Sequence, residues 1–179
     1  MAALPRPFPN CYWVEPGRLL AGEYPGARDE AGARPRLAAL LEAGLTDFVD
    51  LTSLDDPLRP YAALLQAEAA ARGLAARYTR LAIPDMDVPA SPAHMRRILD
   101  TLDEVHAAGR SAYLHCWGGI GRTGTVVGCY LVRRGLAGQA ALDQLAAWWR
   151  TVPKSLSYPR SPQTDEQLAY VRGWREPAE

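Results

Sequence analysis

The sequence predicts a single α/β domain, a mostly parallel central sheet of about five strands flanked by helices. Three observations carry this expectation. Short apolar stretches alternate with segments whose apolar residues recur at helical spacing. The glycine-rich residues 118–121 form a turn between one such apolar stretch and the helical segment that follows it. The 179 residues contain no internal repeat, low-complexity tract or linker, so one domain over 1–179 is expected, long enough to bury a sizeable core.

Tyr12–Val14 and Arg18–Ala21 read as the first two strands, Asp47–Leu51 as the third, Arg77–Leu81 as the fourth and Ser111–His115 as the fifth. A first helix is expected from Pro35 to Gly44, and a second from Pro60 to Gly73. The clearest helix follows Ser91-Pro92, a cap residue and a proline suited to the first helical position. Met95, Ile98, Leu99, Leu102 and Val105 form its apolar stripe, and Gly109 ends it. His94 and His106 are expected on its solvent side. A fourth helix is expected from about Arg122 to Arg133-Arg134-Gly135, with positive charge at the negative end of its dipole. Gln139–Arg150, carrying Trp148 and Trp149, and Pro162–Trp174 complete the set.

Twenty basic residues balance twenty acidic ones, so the overall field gives no reason to expect nucleic acid or a membrane as partner. All the basic residues but Lys154 are arginine, a bias that with the abundant alanine fits a GC-rich genome. No segment approaches the length of a membrane span. Met1–Asn10 contains three prolines and no apolar run, so no secretory signal is expected there. Three cysteines without framework spacing argue against a disulfide scaffold and for reduced thiols in the cytoplasm. No metal-ligand cluster or cofactor motif is evident. A protective disulfide from Cys116 to Cys11 or Cys129 is conceivable, but spacing cannot establish it.

The segment that carries chemistry is His115-Cys116-Trp117-Gly118-Gly119-Ile120-Gly121-Arg122-Thr123-Gly124, between the fifth strand and the fourth helix. A glycine-rich strand-to-helix turn can aim successive backbone N–H groups at one anion. Gly118, Gly119 and Gly121 permit backbone angles that other residues avoid. Arg122 can add paired charge-assisted hydrogen bonds to phosphate oxygens. The same positive surroundings favour the thiolate of Cys116 over its thiol. A cysteine followed by an arginine six positions later is a weak signal in so arginine-rich a chain. It gains weight from the three glycines, the flanking histidine and threonine, and the strand–turn–helix setting.

In these residues the sequence resembles the protein tyrosine phosphatase superfamily, whose loop reads His-Cys-x5-Arg-Ser/Thr-Gly. The short chain and the Cys-x-Gly-Gly-x-Gly-Arg spacing resemble the dual-specificity branch and the kinase-associated phosphatases. The resemblance implies a metal-free phosphate monoester hydrolase, with Cys116 as nucleophile and Trp117–Arg122 as the phosphate cradle. His115 would tune the thiolate, and Thr123 would donate its hydroxyl to the sulfur. Ile83-Pro84-Asp85-Met86-Asp87-Val88-Pro89 resembles the family's acid loop, with Asp85 as general acid and Ile83 where tryptophan usually stands; Asp87 is the competing carboxylate. Gln163-Thr164-Asp165-Glu166-Gln167 resembles the segment that positions the hydrolytic water, with Gln163 in that role and Gln167 supporting it. The same residues also read as an ordinary helix start capped by Ser161. Phosphotyrosine in a protein or peptide is the favoured substrate. Phosphoserine, phosphothreonine and non-protein phosphate esters are alternatives. Phosphoinositides are less favoured, because the loop lacks lysine. A silent phosphate-binding module, or a sulfur- or arsenic-handling enzyme, would be the competing classes; intact Cys116, Arg122 and Asp85 speak against the first.

Overall fold

The computed structural model describes residues 4–176, so the start of the Met1–Asn10 stretch lies outside it. Five strands, β1 (Cys11–Glu15), β2 (Leu19–Gly22), β3 (Asp47–Asp50), β4 (Arg77–Arg80) and β5 (Ala112–His115), lie in the order β1-β2-β5-β3-β4. β1 runs antiparallel to β2, and every other pairing is parallel. Among the described residues six helices connect or cover them: α1 (Glu30–Glu42), α2 (Ala62–Ala70), α3 (Pro92–Ala107), α4 (Gly121–Arg133), α5 (Gly138–Trp149) and α6 (Asp165–Gly173). A short 3-10 turn, Pro153–Leu156, follows α5.

The central strands alternate sides, as a sheet buried on both faces requires. Leu19, Ala21, Val49, Ala112 and Leu114 join one core with α3, α4, α5 and α6. Leu20, Phe48 and Tyr113 point the other way, into a second core with α1 and α2. β5 lies between β2 and β3, so its carboxyl end opens onto the crevice where parallel sheets of this kind place their ligands.

The expected strands are all present within a residue or two, and the α3 stripe is buried throughout. Three local expectations fail. α1 begins at Glu30 rather than Pro35, because Asp29 caps it by accepting from the Gly32 amide at 2.8 Å; that bond outweighs the preference of proline for a first turn. α6 begins at Asp165, capped by Thr164 in a reciprocal capping box with Gln167, while Ser161 bonds elsewhere. His106 is buried rather than exposed, since it stands four residues after Leu102 and shares the apolar face; its Nε2 lies 3.3 Å from the Arg18 carbonyl. Trp149 is core and Trp148 is partial cover, as expected. Among the described residues no helix is long and apolar enough to cross a membrane.

Candidate active site

β5 ends at His115, and the next five residues turn back to start α4, whose N-terminus faces the turn. Nearly every carbonyl of this turn is held outward by a different part of the chain. Cys116 O lies 3.0 Å from His115 Nδ1, and Trp117 O accepts the Tyr24 amide at 2.9 Å. Gly118 O accepts Lys154 Nζ at 3.0 Å, Ile120 O accepts the Ser161 hydroxyl at 2.7 Å, and Gly121 O accepts the Thr125 hydroxyl at 2.8 Å. With the carbonyls turned out, the amides of 117–122 are left for an anion on the inner side, reinforced by the positive end of α4.

Gly119 alone of the three loop glycines adopts a left-handed backbone, with φ +73°. A Cβ there would stand 2.5 Å from the Gly22 carbonyl carbon, so the loop also lies directly on the end of β2. Gly121 is needed for space rather than torsion, because a Cβ would fall 2.8 Å from the Gln167 amide.

Cys116, 3% exposed, sits at the base of this cradle. Arg122 is 1% exposed and arches over from the first turn of α4. Its Nη1 donates to Asp56 Oδ2 at 2.8 Å and to the Ile83 carbonyl at 3.1 Å. Its Nη2 reaches Asp56 Oδ1 at 3.4 Å and Asp85 Oδ1 at 3.0 Å. Burial alone would lower the guanidinium pKa, but the Asp56 hydrogen bond, with Cys116 and Asp85 nearby, raises it overall, so the charge is secure. Arg122 Nε and the Thr123 hydroxyl are buried without a hydrogen-bond partner among the described residues. A buried donor in that condition is costly unless a ligand satisfies it.

Asp85 and Asp87 differ in their surroundings. The Asp85 carboxylate is half-exposed, lines the cleft and touches Arg122. The Asp87 side chain accepts its neighbour's amide, from Val88, at 2.8 Å, and closes the loop on itself. Between them Met86 adopts φ 62°, an uncommon torsion for a side-chain-bearing residue, in the turn that aims Asp85 inward. Ile83 is fully buried, and its contribution is the carbonyl that anchors Arg122.

Gln163 lines the cleft. Gln167 does not reach it: fully buried, it accepts the Gln163 and Thr164 amides at 3.1 and 3.2 Å and donates to the Asp87 carbonyl at 2.9 Å. It therefore ties the start of α6 to the loop that carries Asp85 and Asp87. The Glu23–Gly26 turn borders the cleft. The three cysteines are free thiols, so neither conceivable disulfide is formed. Burial pushes Cys11 up to about 11 and raises Cys129 as well, which leaves both as inert protonated thiols.

Two supporting groups had no sequence signal. Asp56 reaches Arg122 from 66 positions away, and Asp55-Asp56-Pro57 reads only as a turn. Lys154 reaches Gly118 O from the 3-10 turn after α5 and pairs with Glu23, which in turn pairs with Arg36. Beneath the cradle the Tyr61 hydroxyl lies 2.6 Å from His115 Nε2. Donation from His115 Nδ1–H to the Cys116 carbonyl fixes the neutral tautomer, with Nε2 accepting from Tyr61.

A family model described as Swiss Army Knife protein, DSP-PTPase phosphatase domain (PTP-SAK) matches residues 8–170. The chain belongs to this family. The PTP-SAK chain is thus a phosphatase domain of the dual-specificity type, and solved structures share its fold. It is similar to a kinase associated phosphatase with serine in place of the catalytic cysteine: TM-score 0.67, 19% identity, covering 86% of this chain and 83% of that one. It is similar to P. aeruginosa TpbA in complex with pTyr: TM-score 0.65, 22% identity, 95% and 87% covered. It is also similar to PTPMT1 in complex with PI(5)P: TM-score 0.66, 16% identity, 90% and 92% covered.

Proposed function

We propose that this PTP-SAK domain hydrolyses phosphate monoesters through a cysteinyl-phosphate, with phosphotyrosine favoured among protein substrates. The observation that carries the reading is the buried, unpartnered Nε of Arg122 beside a cradle of outward-held carbonyls, with Cys116 at its base. That arrangement suits a tetrahedral dianion whose equatorial oxygens gain negative charge in the transition state.

In the first step the Cys116 thiolate attacks phosphorus. The arriving phosphate displaces Asp85 from Nη2 of Arg122 and leaves the carboxyl beside the leaving oxygen. Asp85 donates a proton to that oxygen as its bond to phosphorus breaks. In the second step Asp85 takes a proton from water as the water attacks the cysteinyl-phosphate. Inorganic phosphate leaves, and the thiolate is restored. Gln163 sits where it can orient that water, and Gln167 holds the acid loop. The Thr123 hydroxyl, lacking any other partner, is available to the departing sulfur. Reduced thiols fit action in the cytoplasm.

The TpbA complex with pTyr supports phosphotyrosine by fold analogy alone. A non-protein ester is the second reading, favoured by the cations that line the cleft beyond the loop. The test is hydrolysis of phosphotyrosine, phosphoserine and phosphothreonine peptides in chelator, beside Cys116→Ser. Turnover of phosphotyrosine that vanishes in Cys116→Ser, with peptide binding retained, is the expected result. Undiminished turnover in that variant would sink the mechanism.

A further inference from the structure

The cleft over the loop, about 910 Å³, carries more positive charge than one phosphate requires. Its walls include Arg28, Arg36, Arg59 and Lys154, opposed by Glu23 and Asp85. These cations fall into two groups. Arg36 and Lys154 both pair with the carboxylate of Glu23, and Lys154 also holds Gly118 O, so they serve the scaffold of the loop. Arg28 makes no ion pair among the described residues. Arg59 has one carboxylate neighbour, Glu30 at 4.0 Å, and both of those side chains are more than half exposed.

The second pair is nevertheless held in place. Tyr24 donates its amide to Trp117 O of the phosphate loop at 2.9 Å and its hydroxyl to the Arg59 carbonyl at 2.8 Å. Arg59 Nη1 lies 3.4 Å from the Arg28 carbonyl. Pro57 and Pro60 flank Arg59 closely, and Pro60 restricts its backbone to extended angles. One tyrosine, through its amide and its hydroxyl, therefore fixes the distance from the loop to a rim bearing two arginines, neither of them tightly paired. The loop itself holds no lysine, which counted against substrates with extra phosphates; the cleft supplies those cations from two other segments.

We propose that Arg28 and Arg59 form a second anion site, which binds another phosphate of the same substrate molecule whose scissile phosphate lies over Cys116. The proposal rests on the hydrolytic reading above but takes its non-protein branch: the substrate class is a small molecule bearing two or more phosphates. The cleft volume lies near the upper end of the roughly 300–1,000 Å³ usual for small-ligand sites. Guanidinium pairs are suited to phosphate because each offers parallel donors to two oxygens.

The test uses phenyl phosphates with a para arm of increasing length, ending in either a phosphonate or a hydroxyl. The phosphonate cannot be cleaved at an ester bond, so turnover reports one site only. At one arm length kcat/KM for the phosphonate compound should exceed that for its hydroxyl twin by at least about tenfold, the equivalent of one charged hydrogen bond. That ratio should fall as ionic strength rises. Arg28→Ala with Arg59→Ala should bring it to about one, and the paired lysine substitutions should restore part of it. A ratio of one at every length, or a preference that survives the double alanine variant, overturns the proposal. So does a stronger arginine-dependent preference for doubly phosphorylated peptides than for any small compound. Calorimetric titration of the phosphonate compounds into Cys116→Ser separates the two readings. Arginine-dependent binding without wild-type turnover would retain the second site and sink the hydrolytic chemistry. Turnover of both compounds at equal efficiency would do the reverse.

Discussion

Asp56 offers the sharpest test of how Arg122 is held. Its Oδ2 accepts Arg122 Nη1 at 2.8 Å and the Ser53 amide at 2.7 Å, while Oδ1 lies 3.4 Å from Nη2. Every neighbour is a donor, so Asp56→Asn must turn an NH2 toward one of them whichever way the amide is placed. Arg122 keeps the Ile83 carbonyl and Asp85, which moderates the loss. A hydrogen bond to a charged group contributes about 1.5–3 kcal/mol. Loss of that much transition-state alignment lowers kcat/KM by about 10- to 150-fold. The same buried pair supports the folded state; a similar loss there, at about 2–4 °C per kcal/mol for a chain of this size, lowers Tm by about 3–12 °C. The assay is p-nitrophenyl phosphate hydrolysis with a thermal melt, and Asp55→Asn, its exposed neighbour, is the control. If Asp56→Asn stays within twofold of Asp55→Asn in kcat/KM, Arg122 is not held by this carboxylate and the account of the site fails.

Asp85→Ala should reduce kcat for phenyl phosphate about 10²- to 10⁴-fold and spare p-nitrophenyl phosphate more, because the better leaving group needs less protonation. Asp87→Ala should do little by comparison, and the reverse ranking would transfer the acid role. Gly119→Ala should lose about 10²-fold or more in kcat and also lower Tm, since the new Cβ meets the Gly22 backbone at 2.5 Å and the torsion is left-handed; a fully active variant would show that the loop does not depend on this contact. Burial depresses the pKa of both His106 and His115. As pH falls below about 6.5 the unfolded chain therefore binds protons before the folded one, and stability drops. Tm should decline from pH 7 toward 5, and His106→Gln should flatten that limb; an unchanged slope would remove His106 from the explanation.

What the sequence discloses and what it hides follow from how far each signal travels along the chain. α3 is legible because its cap, its proline and its apolar stripe are all local, and the loop from His115 to Thr123 is legible because its chemistry is contiguous. His106 departs from its expected exposure for a local reason, since its spacing from Leu102 puts it on the buried face. Asp56 and Lys154 could not have been found this way. Each becomes functional only when the β3–β4 and α5–α6 connections fold over the carboxyl end of β5, 66 and 36 positions from their partners. Gln167 lies between these cases: the motif marks it, but its amide reaches the loop of Asp85 and Asp87 rather than the cleft.

The way the loop is held explains why one cysteine of three is set apart. Peptide groups that turn their N–H bonds inward must turn their carbonyls outward, and those carbonyls need donors of their own. Here the donors come from β5, the turn after β2, the 3-10 turn after α5, the segment before α6 and α4 itself. Since each donor belongs to a different element, the inward array exists only in the complete fold and is already oriented when an anion arrives. Cys11 and Cys129 are as deeply buried as Cys116, and in both, burial holds the proton on sulfur. Cys116 is buried instead beside Arg122 and the N-terminus of α4. The three thiols are alike in exposure, so what sets Cys116 apart is what lines its burial.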